Sequence, residues 1–336
     1  MKKDPVFSII IPCFNGERYI KNCLNSINKI KPSEYEVIII NDNSNDKSRE
    51  ILNHYQKSQK ISIYQNKKNL GPAKSRNLGA KKAKGKYLVF LDIDTEVKNN
   101  FLAEFKKAFE KNKKLAAIQG KLIQGKSNKI ETIGHFLTFF GFPYEIGVGA
   151  NQEEYQKERR IFGARSAGMA VRKSVFEEIN GFDEDYFIYG EETDLCWRIW
   201  LTGHQIIYLP KAIIHHFSKS TLNQKTNFRI FYEGAKNNTH NILKNAPLKT
   251  MLWMLPLHIL SWLLISLKLI FQKRFKMAFF IYRGLFWNIV NLPRVIKKKH
   301  QINLYRNKNE SVSQIIWGKT SFKIILTKGS KWFKNV

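Results

Sequence analysis

Four short apolar runs, each followed by a stretch long enough for a helix, constrain this chain more than any other feature. They are Val6 to Ile11, Val37 to Ile40, Ile61 to Tyr64, and Tyr87 to Leu91. A strand with one wet face alternates polar and apolar residues, whereas Val6 to Ile11, Val37 to Ile40 and Tyr87 to Leu91 read as strands buried on both faces, and Ile61 to Tyr64 as a further strand between helices. After Gly16, the residues Tyr19, Ile20, Cys23, Leu24, Ile27 and Ile30 fall on one helical stripe. A second helix runs through Ile51 and Leu52, and a third, basic one through Leu78 and Ala83. Strands alternating with helices imply right-handed crossovers, hence an α/β fold with a mainly parallel sheet and helices on both faces. Pro12 is expected to end the first strand.

The fourth run leads directly into Asp92-Ile93-Asp94. Ligands of open α/β sheets gather at the carboxyl ends of the strands. Two carboxylates there need a partner to offset their charge, and a divalent metal carrying a diphosphate meets that need. Two solvated loop acids are the plainer alternative.

Further along, Phe101, Leu102, Phe105, Ala108 and Phe109 mark an amphipathic helix, and Leu115 to Ile118 another strand. From about 120 to 160 the pattern weakens among glycines and polar residues, so a flexible or irregular acceptor-side segment is expected. Regular structure resumes from Phe162 to about Phe217. The three cysteines, Cys13, Cys23 and Cys196, lack metal-ligand spacing and read as reduced structural thiols. Asp4, Pro5 and Pro12 interrupt the N-terminal apolar run, which reads as a first strand and not a signal peptide.

Beyond about 225 the composition changes. Met251 to Leu267 is strongly apolar and near the ~20 residues that span a bilayer, although Pro256 and His258 are expected to break it. Met277 to Leu292 is a second apolar stretch, containing Arg283 and Asn288. Lysine and arginine flank both, which suits one clean crossing poorly. A re-entrant or interfacial helical hairpin on an anionic leaflet accounts for every flank, against the alternative of two buried packing helices. The formal net charge of +30 points to a polyanionic partner without choosing among nucleic acid, membrane and phosphate-rich substrates.

Five motifs, in order, resemble the family 2 glycosyltransferases. They are Ser8-Ile9-Ile10-Ile11-Pro12-Cys13-Phe14-Asn15 with Glu17, and the polar turn holding Asp42, Ser44 and Asp46. Then come Asn69-Leu70-Gly71 with Ala73, Arg76-Asn77 and Gly79, followed by Asp92-Ile93-Asp94. The last spans Gly181-Phe182-Asp183 and Gly190-Glu191-Glu192-Thr193-Asp194-Leu195-Cys196-Trp197-Arg198. The likeness covers roughly residues 6 to 220, and is nearest to bacterial rhamnosyltransferase-like members. It implies a GT-A domain over 1–225, with a nucleotide-binding half (1–95) and an acceptor half (96–225), ahead of a basic, apolar helical region over 226–336.

The resemblance implies a metal-dependent inverting enzyme that moves one sugar from a nucleotide-diphosphate sugar to a hydroxyl of a lipid-linked or cell-surface glycan. Pro12, Asn15, Glu17, Asp42, Asn69, Arg76 and Asp92 are the candidate donor-binding residues. Asn15 and Asp42 could equally form turns or cap helices, and Asn41 stands where relatives often carry an acid. Asp92, Asp94 and His216 are the candidate ligands for Mg²⁺ or Mn²⁺. Glu191, Glu192 and Asp194 are the candidate catalytic acids; alignment of the family's Glu-Asp pair makes Glu192 the base, with Glu191 a live alternative and helix capping the plainer role for Asp194. Trp197, Arg198 and Trp200 line the acceptor side or merely pack their helix. The expected location is the cytoplasmic face of the cell membrane.

A processive polysaccharide synthase would show several clear spans and a Gln-x-x-Arg-Trp motif, and neither is found. A sugar nucleotidyltransferase would carry a Gly-rich, Arg-containing loop after Ile11. A nucleic-acid-binding protein would not require acids at strand ends, so no nucleic-acid partner is expected. A non-catalytic membrane scaffold would have no use for the intact acids.

Overall fold

The computed structural model describes residues 4–31, 34–58, 61–217 and 228–307. The first half alternates as expected: β1 (Phe7–Cys13), α1 (Ile20–Ile27), β2 (Tyr35–Asn41), α2 (Ser48–Ser58), β3 (Ile61–Gln65), α3 (Pro72–Lys82) and β4 (Tyr87–Phe90). β1 pairs in parallel with both β2 and β4, and β2 with β3. Ile9, Ile10 and Ile11 are wholly buried because helices cover both faces of the sheet. The stripe of α1 is buried at Ile20, Cys23, Leu24 and Ile27.

Two details set how closely the layers approach. Gly79 of α3 lies against β1, and a Cβ there would stand 2.4 Å from Ile10 Cγ2. Pro12 does not end β1, which continues to Cys13 with Pro12 opposite Ile40. Pairing with β4 stops at Ile10–Phe90, so the proline sits where the strand has a free edge and its missing N–H is not needed there.

The chain continues through β5 (Thr95–Val97), α4 (Phe101–Lys111), β6 (Leu115–Gln124), β7 (Ile130–Thr132), β8 (His135–Leu137), β9 (Pro143–Glu145), β10 (Arg159–Arg160), β11 (Met169–Arg172), α5 (Lys173–Glu178), α6 (Glu191–Leu201) and β12 (Gln205–His216). The main sheet runs β10-β12-β6-β11-β4-β1-β2-β3, with β5 on β12 and β7 on β6. β11 enters antiparallel between β4 and β6, and β12 is parallel to β6. Strand order reverses between β1 and β4, so the loops after these strands open the crevice where α/β sheets take ligands.

The segment from 120 to 160 is more regular than expected. β6 extends to Gln124, and Ile130 and Leu137 on the following short strands, with Ile133 in the bend between them, are fully buried. Their strands are only three residues long and broken by turns, too short for periodicity to register.

Four helices follow among the described residues: α7 (Phe228–Asn245), α8 (Leu248–Phe271), α9 (Phe275–Val290) and α10 (Leu292–Tyr305). The expected break at Pro256 and His258 is absent, since α8 is continuous with Pro256 inside it. Pro256 lies on the exposed side, where its ring displaces no packed neighbour. His258 is fully buried and hydrogen-bonds the Phe140 carbonyl at 2.7 Å. Ile242 and Met254 join the main core, so these helices pack onto the α/β unit. The expected boundary at 225/226 lies outside the described residues.

Candidate active site

The loops after β1 and β2 are stitched together by their own polar side chains. Asn15, at φ +52°, donates its N–H to Ser44 Oγ and accepts from the Asn45 N–H through Oδ1. The Glu17 N–H donates to Asp46, and the Glu17 carboxylate accepts the Lys47 N–H at 2.9 Å. Asp42 is buried, and its two oxygens accept from Asn66 Nδ2, the Leu70 N–H and the Gly71 N–H at 2.7–2.9 Å. Asn69 Oδ1 also accepts from the Gly71 N–H. These residues therefore build the wall of the crevice, with Asp42 holding the loop that starts α3. Asn41 bonds Gln65 and Ser44, a role that needs an amide and no charge. Pro12 is half-buried at the end of β1.

The carboxylate doublet sits in the turn between β4 and β5. The Thr95 hydroxyl donates to the Asp92 carbonyl at 2.7 Å, closing that turn. β5 pairs antiparallel with β12, setting His216 opposite Thr95, and the Phe217 N–H donates to the Asp94 carbonyl. His216 Nε2 thus lies 3.3 Å from Asp94 Oδ1 and 3.9 Å from Asp92 Oδ2. One ligand atom from each of Asp92, Asp94 and His216 falls within a 4.8 Å cluster. Two hard oxygens and an imidazole nitrogen suit Mg²⁺ or Mn²⁺. His215 instead turns to the Gly125 carbonyl, at 2.8 Å.

On the far side of the histidine, Nδ1 meets the Glu131 carboxylate at 2.9 Å. Burial disfavours a charged ring, but Asp94 and Glu131 outweigh it and push His216 up to about 11. No motif marked Glu131 in the sequence; it reaches the site only because β7 pairs with β6 beside β12.

Gly190, at φ +83°, turns the chain into α6 and puts Glu191 and Glu192 in its first turn. Arg76 connects them to the doublet: its Nη2 is 2.7 Å from Asp92 Oδ1 and its Nη1 3.1 Å from Glu191 Oε1. Burial and the neighbouring Glu192 raise Glu191 to about 7, against the pull of Arg76. Glu192 goes the other way. Burial would raise it, but Arg165, Arg76 and Ser166 bring it down to about 2. Its Oε1 accepts from the Ser166 hydroxyl at 2.5 Å and the Ser166 N–H at 2.8 Å, while Oε2 lies 3.2 Å from Arg165. Arg165 is itself held by Glu145 at 3.1 Å. Arg165, Ser166 and Glu145 carried no signal in the sequence, because isolated polar residues gain meaning only through what they touch.

Asp194 faces elsewhere. It is fully buried between Arg198 at 2.6 Å, Lys244 at 2.7 Å and Asn245 at 2.8 Å, which tie α6 to α7. The geometry thus places it apart from the other two acids and favours the structural alternative. Trp197 and Trp200 are core residues, with Trp200 Nε1 donating to the Phe162 carbonyl; both pack their helix, as does Arg198.

The glycosyl transferase family 2 model matches residues 8–179, and a model described as N-terminal domain of galactosyltransferase matches 149–220. A poly-beta-1,6-N-acetyl-D-glucosamine synthase of Staphylococcus epidermidis is 27% identical over 210 residues, covering 61% of this chain and 48% of that protein. The glycosyltransferase GlyA of Streptococcus pneumoniae is 27% identical over 222 residues, covering 63% of this chain and 30% of that protein. The chain therefore spans half or less of the length of these relatives, and the expected rhamnosyltransferase likeness is only loose. Among solved structures, S. aureus TarS 1-349 in complex with UDP-GlcNAc superposes with a TM-score of 0.59 at 17% identity, covering 97% of this chain and 92% of that one. GalNAc-T7 with UDP, GalNAc and Mn²⁺ gives 0.60 at 20% identity, covering 73% and 48%. At these identities the superpositions establish the GT-A fold and nothing finer. With the family model covering more than half of its residues, the chain belongs to glycosyl transferase family 2.

Proposed function

We propose that this chain transfers a sugar from a nucleoside-diphosphate sugar to an acceptor hydroxyl with inversion. The observation that carries this reading is the pair of acid sets at the crevice, Asp92–Asp94–His216 and Glu191–Glu192, joined through Arg76. The first set has the donors for Mg²⁺ or Mn²⁺, which would be held by Asp92, Asp94 and His216 and would supply Lewis-acid stabilisation of the departing diphosphate. Asn15, Glu17, Asp42 and Asn69 shape the nucleotide side of the crevice. Glu192 is the base that takes the acceptor proton: it is ionised throughout the neutral range, fixed by Ser166 and Arg165, and less enclosed than Glu191. Glu191 accepts a hydrogen bond from Arg76, and so helps orient that guanidinium beside Asp92.

UDP-GlcNAc is the first donor to test, because it is the ligand of the TarS complex and GlcNAc is the unit of the Staphylococcus epidermidis polymer. The apolar, basic C-terminal helices support a membrane-borne, lipid-linked or cell-envelope glycan acceptor, met at the cytoplasmic face. The deciding experiment is a panel of nucleotide sugars assayed for metal-dependent hydrolysis and transfer, with wild type beside Asp94→Ala and Glu192→Gln. Loss of transfer in both variants, with donor still bound by Glu192→Gln, is expected. Unchanged turnover in either one removes its assigned role.

A further inference from the structure

α8 is the one helix among the described residues that is long and apolar enough to cross a bilayer, yet its surroundings argue against crossing. One side of it is covered by protein along most of its length. Trp253 stacks on Phe139, the His258 ring hydrogen-bonds the Phe140 carbonyl, and Trp262 packs edge-on to Phe142. Beyond them, Ile265 and Leu269 share a small core with Ala278 and Ile281 of α9 and Ala235 of α7. An α8 set across a membrane would carry the 139–142 loop and the buried Glu233–Lys236 pair of α7, at 3.1 Å, into hydrocarbon. Burying that polar backbone and those charges in lipid is strongly unfavourable.

The opposite side is bare. Leu260, Leu264, Leu267 and Phe271 form an exposed stripe on α8, and Phe271 is 86% exposed. On α9, Phe275, Phe279, Tyr282, Phe286 and Ile289 repeat the same three- and four-residue spacing. Exposed apolar surface of this extent marks an interaction site, and the charge around it selects the partner. Residues 248–305 contain ten Lys and Arg and no Asp or Glu. Arg294 and Lys298 spend their charge on Asp185 and Asp183, while Lys249, Lys273, Lys276, Arg283 and Lys297 are exposed with no acid on these helices. Apolar stripes edged by cations fit the interface of an anionic leaflet.

We propose that α8 and α9 lie flat in the headgroup region of an anionic membrane, with their phenylalanine and leucine stripes inserted and neither helix crossing. The docking mode rests on the membrane-borne acceptor reading and specifies how the enzyme meets that membrane. α7 is clamped to the first turns around the site by Lys244, which pairs with both Asp183 and Asp194. The inserted layer therefore carries the crevice at a fixed orientation to the lipid surface.

The test uses the full chain with sealed vesicles of phosphatidylcholine alone or with phosphatidylglycerol. Single cysteines introduced as Lys249→Cys and Lys273→Cys mark the two ends of α8; the native cysteines are buried. The expected result is binding to the anionic vesicles only, weakened by salt, with both sites open to an impermeant maleimide added outside. Serine at Phe275, Phe279 and Phe286 together should lower partitioning by about tenfold or more, with an unchanged circular dichroism spectrum. Protection of one end alone means that α8 crosses, and overturns the proposal. So does equal binding to neutral vesicles, self-association without vesicle binding, or binding that appears only once residues 308–336 are removed. Nucleotide-sugar hydrolysis measured in parallel separates the two readings: hydrolysis without vesicle binding sinks the docking alone, and binding without hydrolysis sinks the enzyme reading alone.

Discussion

The division of labour between Glu191 and Glu192 can be tested by pH. A base must be ionised to accept a proton, so activity falls tenfold for each pH unit below its pKa. Glu191 lies near 7 and Glu192 near 2. At pH 6 a base with the Glu191 value would be ionised in about one molecule in ten, whereas one with the Glu192 value would be fully ionised. In Glu191→Gln the amide keeps the volume, and Arg76 retains Asp92 at 2.7 Å. That variant should keep activity within about tenfold of wild type, and its kcat/KM should be level from pH 6 to 8. Glu192→Gln should lose about 10²- to 10⁴-fold at every pH, the usual contribution of a positioned base. Initial rates with the best donor, at saturating divalent ion and at half-unit pH steps, decide the matter. If Glu191→Gln is as inactive as Glu192→Gln, and wild type shows an acid limb near pH 7, Glu191 is the base and the present assignment is wrong.

Glu131→Gln should weaken Mn²⁺ affinity about 10- to 100-fold, because the carboxylate against His216 Nδ1 fixes the ring that points at the doublet; titration calorimetry without sugar donor reads this directly, and unchanged affinity removes the positioning role. Lys244→Met should cost about 3 kcal/mol of stability, since it leaves Asp183 and Asp194 buried with one cation fewer; a denaturation midpoint equal to wild type would show that the clamp is dispensable. Gly79→Ala should destabilise by about 1–3 kcal/mol, as its new methyl meets Ile10 at 2.4 Å; thermal unfolding checks it, and a neutral result would mean that α3 shifts freely on β1.

Much of the nucleotide half was legible from local signals alone. Apolar runs identified β1, β2 and β4, because a strand buried on both faces has no polar side to interrupt it; β3 lies at the sheet edge with Ser62 and Gln65 exposed, and was legible from its place in the alternation of strands and helices. The doublet was legible for a related reason: two acids following such a run stand out against their context. Of the adjacent His215 and His216, only His216 faces the doublet, and nothing local in the sequence shows that His215 is taken by the Gly125 carbonyl. Proline lacks an N–H, so Pro12 and Pro256 look like stops from the sequence alone. In both places the surrounding structure leaves room for that defect, at a free strand edge and on an exposed helix face.

The remainder depended on long-range contact. Asp194 looked like a third catalytic acid because three acids in four residues exceed what capping needs, but nothing local revealed that Arg198, Lys244 and Asn245 would surround it. Glu131, Glu145, Arg165 and Ser166 stand 20 to 85 positions from the groups they hold, in short strands and turns without periodicity.

By itself, then, the sequence determined the alternating α/β architecture, the placement of acids at strand and helix ends, and an apolar stretch from 248 to 305 without a single acid. These follow from composition and spacing within a few turns of chain. The tertiary structure decided which acid is ionised, which histidine faces the doublet, and which side of α8 and α9 is left bare. Those outcomes depend on burial and on the fields of distant charges, and both exist only once the strands have paired and the helices have packed.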